Sequence, residues 1–85
     1  MQSIKSFYFT YGTAGSGMPF AGGWTVVRAV DRAQACEFFR AAHPDKTPGI
    51  INCSWIYDED SFNATGMAVE GNWGAFEHER LGIIG

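Results

Sequence analysis

The chain has 85 residues, of which 46% are hydrophobic and 15% aromatic, while only 18% are charged. That composition excludes a disordered chain and fits a single small domain with a packed core. The net charge of −3 is unevenly distributed: residues 1–46 hold five basic and three acidic side chains, residues 47–85 one basic and six acidic. Lys or Arg is absent between Lys46 and Arg80, so the dense basic footprint that general nucleic-acid binding requires is missing.

Residues 3–11 are expected to form a strand, because Phe7, Phe9 and Tyr11 alternate with Tyr8 and Thr10 at a period of two. Aromatic residues on both faces imply a strand that is either central or covered on both sides. Residues 12–23 hold five glycines and Pro19 and read as a loop, since glycine enters backbone regions other residues avoid. Residues 24–30 are the next strand, which makes the pair a long-looped hairpin.

Asp31 is placed to cap a helix, with Gln34 three residues on in a variant of the capping box. Ala35, Phe38, Phe39 and Ala42 recur at helical spacing and define the buried face, leaving Arg32, Glu37 and Arg40 to solvent. His43-Pro44 ends the helix, because the residue before proline avoids the α region. Residues 46–49 form a turn and residues 50–57 a third strand. Asp58-Glu59-Asp60-Ser61-Phe62 reads as a short capped helix with carboxylates at its positive end, ended by Gly66. Residues 67–74 are ambiguous, and residues 75–84 are expected as a last strand. The fold class is therefore α+β: a small antiparallel sheet with one main amphipathic helix and a short second one.

Cys36 and Cys53 are too few for a disulfide framework and read as buried thiols. No run approaches the roughly 20 apolar residues of a membrane span. The opening residues alternate after Lys5 and do not read as a secretion signal. A cytoplasmic protein is expected, in which Asn52-Cys53-Ser54 and Asn63-Ala64-Thr65 have no bearing on glycosylation.

Motifs that carry chemistry are sparse. The glycine-rich loop offers amides for phosphate, and Gly15 and Gly17 are its candidate contacts. It lacks the Gly-Lys-Ser/Thr ending of a P-loop and leads into a strand, with no helix N-terminus behind it. His43, His78, Cys36 and Cys53 show no paired metal-ligand spacing, and no Cys–His nucleophilic pair is set up. No cofactor is implied. Glu77, His78 and Glu79 alternate along the last strand, which puts both carboxylates on one face. Asp58, Glu59 and Asp60, with Glu70, Glu77 and Glu79, would present a negative face suited to a basic groove.

The opening Phe7-Tyr8-Phe9-Thr10-Tyr11-Gly12 resembles the Tyr-Phe-Thr-Phe-Gly start of short proteins encoded by phages and prophages of Gram-positive and gut bacteria. The likeness runs on through residues 24–29, the helix with Ala35 and Phe39, Trp55-Ile56-Tyr57 with the acidic residues after it, Thr65-Gly66-Met67, and His78-Glu79. The loop at residues 12–23 is longer than the hairpin of that pattern. The resemblance implies a class that includes host-defence antagonists and transfers no active-site residue. It leads to two expectations. The first is a non-enzymatic protein that occupies a bacterial defence component such as a CRISPR effector, in the manner of an anti-CRISPR. The alternative is an oligomeric sponge for a nucleotide immune signal. Its phosphate would lie on the glycine-rich loop, and its base against Tyr8, Trp24 or Trp73.

Overall fold

The structure, a computed structural model, describes residues 3–12, 22–66 and 77–83. Gly15, Gly17, Glu70 and Trp73 lie outside them, as does the ambiguous stretch 67–74. Among the described residues are four strands and two helices: β1 (Lys5–Thr10), β2 (Trp24–Ala29), α1 (Arg32–Ala42), β3 (Trp55–Asp58), α2 (Glu59–Thr65) and β4 (Glu77–Gly82). They form an α+β fold around one sheet in the order β3-β1-β2-β4. The expected β1–β2 hairpin is present, with Phe9 opposite Thr25, and β3 is antiparallel to β1. The last strand departs from the antiparallel expectation. It returns on the far side of β2 and runs parallel to it, so the sheet is mixed.

Aromatic alternation in β1 has the consequence its sequence implied. Phe7, Phe9 and Tyr11 face α1 and join Val27, Ala29, Ala35, Phe39 and Cys53 in one buried cluster. Tyr8 faces the other way, where Trp24, Val26 and Phe62 of α2 form a second cluster with it and Tyr57. Each face is closed by a parallel ring stack: Phe9 on Phe39 at 4.4 Å and Tyr8 on Phe62 at 3.9 Å between centroids. Such pairs add roughly 0.5–1.5 kcal/mol beyond the area they bury.

Both helices begin where the sequence placed their caps. Asp31 Oδ1 accepts from the Gln34 amide at 2.8 Å, and Gln34 Oε1 accepts from the Val30 amide at 2.9 Å. Asp58 Oδ1 accepts from the Ser61 amide at 2.8 Å, and Gly66 closes α2 in the left-handed conformation at φ 74°. On α1, Ala35 and Phe39 are buried and Phe38 half-buried, while Ala42 is exposed; at the end of the helix it is His43 that turns toward the sheet, onto Glu79 of β4.

The third strand is shorter than residues 50–57. A Thr47-Pro48-Gly49-Ile50 turn, with Gly49 at φ 84° and the Ile50 amide donating to Thr47, is followed by a bend. There the Cys53 amide donates to the Ile51 carbonyl. Proline then glycine at the turn centre enforces the reversal, so regular pairing starts only at Trp55. Of the last strand expected over residues 75–84, residues 75, 76 and 84 lie outside the described residues, and residues 77–82 are β4. Its C-terminal end crosses β2 closely. Gly82 has φ 92°, and a Cβ there would lie 2.2 Å from the Arg28 carbonyl oxygen.

Two stability comparisons follow from this packing. Phe39→Ala removes the stacked ring at the centre of the α1 face and is expected to cost about 3–5 kcal/mol. Arg40→Ala loses only a solvent-exposed pair with Asp45 at 3.0 Å, expected at under about 1 kcal/mol. Urea denaturation of both variants checks the assigned helix face. The second comparison sets Gly82→Ala against Gly49→Ala. Both force a side chain into the left-handed region at about 1–2 kcal/mol, but open space surrounds Gly49. The Gly82 variant is therefore expected to lose clearly more stability in the same assay, by breaking the β2–β4 pairing.

Candidate functional site

Two places on the described surface gather chemistry-bearing side chains, and they lie at opposite edges of the sheet. The first is a polar chain beneath the C-terminal turn of α1. Tyr11 and Thr25 are wholly buried on the α1 face of β1 and β2, and their hydroxyls are hydrogen-bonded. The Thr25 hydroxyl donates to Glu79 Oε1 of β4 at 3.0 Å, and the same oxygen meets His43 Nε2. A carboxylate only accepts, so the Thr25 proton is committed to Glu79 and the Tyr11 phenol must donate to Thr25. Burial pushes the Tyr11 phenol well above its ordinary pKa, which keeps that donor protonated. His43, the C-cap residue of α1, also packs its ring against Phe39 at 5.1 Å. The chain Tyr11–Thr25–Glu79–His43 thus ties three strands to the end of the helix.

This arrangement corrects the expected pairing of Glu77 and Glu79 as carboxylates on one open face. A register shift in β4 between the partners of Trp24 and Thr25 turns Glu79 inward, where Thr25 and His43 occupy it. Glu77 opens the strand. The hydroxyls that could have served as nucleophiles, on Tyr11 and Thr25, are sealed from solvent. Among the described residues no three His, Cys, Asp or Glu side chains come together as metal ligands. Cys53 is buried, and burial raises its thiol to about 11, with Cys36 nearby adding to the effect. It is a protonated core thiol at neutral pH, as the sequence implied.

The second place is the outer edge of β3. Asp58, Glu59 and Asp60 are all exposed where β3 passes into α2, beside a groove of 370 Å³ that they share with Ile4, Lys5, Ser6 and Phe7. The backbone amide and the hydroxyl of Ser61 hold Asp58 below its ordinary carboxylate pKa, with Arg32 adding to it. The stability contributed by this cap is therefore present above the usual carboxylate range. It is lost as pH falls through the lowered value. At the other end of the same short strand Trp55 is 63% exposed, its ring 6.4 Å from Tyr57. Sequence reasoning did not single out Trp55 as a surface residue, since a tryptophan in an apolar run reads as core. Only the position of β3 at the sheet edge leaves it uncovered.

The remaining expected contacts are placed differently. Trp24 is buried edge-on against Phe62, and Tyr8 lies stacked on the same ring, so α2 already covers the faces that were to stack on a base. Glu79 is separated from Asp58, Glu59 and Asp60 by the width of the sheet. With strands about 4.8 Å apart, β4 and β3 lie roughly 14 Å from each other. The acidic residues therefore do not form one face.

Removing Glu79 leaves the Thr25 hydroxyl and the His43 ring without their common acceptor in a largely dry site. Glu79→Ala is expected to cost about 1–3 kcal/mol and Tyr11→Phe about 0.5–1.5 kcal/mol. The Glu79→Ala, His43→Ala double variant should lose less than the sum of its parts in a denaturant-monitored cycle. Additivity would break the link between helix and strand that the chain describes.

No protein-family model, no curated protein and no solved structure matches this chain.

Proposed function

We propose that the protein is a non-enzymatic binder that blunts bacterial immunity by occupying a protein component of a host defence system, such as a CRISPR effector. The exposed Trp55 at one end of an edge strand, with Asp58, Glu59 and Asp60 at the other, carries the binding part of this reading. Tryptophan anchors contribute disproportionately to protein interfaces because one rigid ring buries a large area at little entropic cost. Acidic residues beside such an anchor select a basic partner surface and speed encounter with it. A groove built to hold nucleic acid is a surface of that kind. The phage setting and the cytoplasmic location rest on the sequence resemblance, and no helix among the described residues is long and apolar enough to cross a membrane. A nucleotide sponge is the weaker reading, because Tyr8 and Trp24 are engaged by Phe62.

The protein is expected to capture a specific defence component from host lysate, less so as salt rises. Trp55→Ala is expected to weaken the purified interaction by about 30-fold or more, the equivalent of a 2 kcal/mol anchor. Combined Asp58→Asn, Glu59→Gln and Asp60→Asn should remove the salt dependence while asparagine keeps the α2 cap. Capture that neither set of changes affects would contradict the reading.

A further inference from the structure

Among the described residues, the backbone of β3 has one side paired and one side open. The Tyr11 amide donates to the Gly23 carbonyl, so the odd-numbered residues of β1 turn their backbone groups toward β2 and the even-numbered ones toward β3. Thr10 accordingly accepts from the Ser54 amide and donates its hydroxyl to the Trp55 carbonyl at 3.1 Å. Tyr57 lies opposite Tyr8 and points inward for the same reason. Ile56, between Trp55 and Tyr57, must then point its amide and carbonyl outward. Its carbonyl meets the exposed guanidinium of Arg32, whose Nη2 donates to it at 3.1 Å. Arg32, Trp55 and Ile56 line a groove of 220 Å³ along this edge.

An open edge with its backbone groups aligned is a template for another strand, and natural proteins protect such edges with charged side chains. Arg32 is the protection here, held through a solvent-exposed hydrogen bond to the Ile56 carbonyl. Trp55 sits on the α2 face of the sheet, Asp58 follows about 10 Å along the strand, and Glu59 and Asp60 open α2 just beyond it. We propose that the outer edge of β3 accepts an extended segment of the partner as an added strand. That segment carries an apolar side chain over Trp55 and Lys or Arg beside Asp58, Glu59 and Asp60. The proposal rests on the protein-partner reading above and specifies how the partner is held: main-chain hydrogen bonds to Ile56 supply affinity, and side chains at the two ends supply selectivity. Arg32 moves off the Ile56 carbonyl when the segment arrives.

Proline at position 56 tests this directly. It deletes the outward amide, which an edge strand tolerates because that group is not in the ladder, and also trades the Ile56 side chain, half-buried against the α1-face cluster. Labelled peptides of alternating Lys and Val, and of alternating Glu and Val, are the probes. Fluorescence anisotropy should show saturable binding of the Lys–Val peptide and none of the Glu–Val peptide. Ile56→Pro should weaken binding by at least about tenfold and Arg32→Ala should tighten it. Wild-type protein with bound peptide should show slowed exchange of the Ile56 amide, a readout that holds if Ile56→Pro melts early. Absence of Lys–Val binding, equal binding by Ile56→Pro, or a wild-type dimer abolished by Ile56→Pro would overturn the proposal, the last by making a second copy the occupant. Host partner capture that survives Ile56→Pro but not the acidic changes would defeat the added strand and leave the function standing. Peptide binding through Ile56 without capture of any defence component would do the reverse.

Discussion

Consecutive residues of β1, Tyr8 and Phe9, cannot share a face of a strand, and both are large aromatic rings. The rest of the structure depends on that constraint. A sheet with one wet face would leave one of these rings in water. The chain meets the constraint with a helix on each side: Phe39 of α1 stacks on Phe9 and Phe62 of α2 on Tyr8. Neither helix, at 11 and 7 residues, is long enough to persist alone in water, where lengths below about 12–15 residues are marginal. Each exists because its one buried ring finds the sheet, and the sheet's central strand is dry because both helices are present.

Covering both faces of β1 fixes what the edges can do. α1 packs over β2 and β4 while α2 packs over β1 and β3. At the β4 edge, α1 brings His43 to Glu79, and the carboxylate joins a buried polar chain with Thr25 and Tyr11. That edge is tied down. At the β3 edge, α2 starts directly after the strand, so its cap and first-turn acids, Asp58, Glu59 and Asp60, lie at the strand end, and Trp55 remains outside the fold. The asymmetry is chemical: Glu79 at the β4 edge is taken up by the fold, whereas Glu59 and Asp60 at the β3 edge face solvent beside the exposed cap Asp58.

Features set within a few residues were legible in the sequence. Asp31 and Asp58 as caps, Gly66 as a stop, Phe39 as the buried face of α1 and the two-sided aromatic pattern of β1 all follow from spacing along a helix or strand. What escaped depends on contacts across the chain. Glu79 meets Thr25 across 54 positions and His43 across 36, and no local pattern announces that β4 will pair parallel to β2. The α+β class followed from the order of elements, but the mixed sheet did not. Trp55 escaped for the related reason that strand alternation marks faces without telling which strand lies at the edge. In the same way Tyr8 and Trp24 looked available for a ligand until Phe62 was seen to cover them.

The central claim is that the β3 edge, and not the β4 edge or either helix, is the working surface. Amide hydrogen exchange on the protein bound to a captured host component tests it most directly. Slowed exchange is expected at Ile56 and its neighbours in β3, with exchange around Thr25 and in β4 unchanged. Slowing confined to α1 or β4, with Ile56 exchanging as in the free protein, would contradict the account.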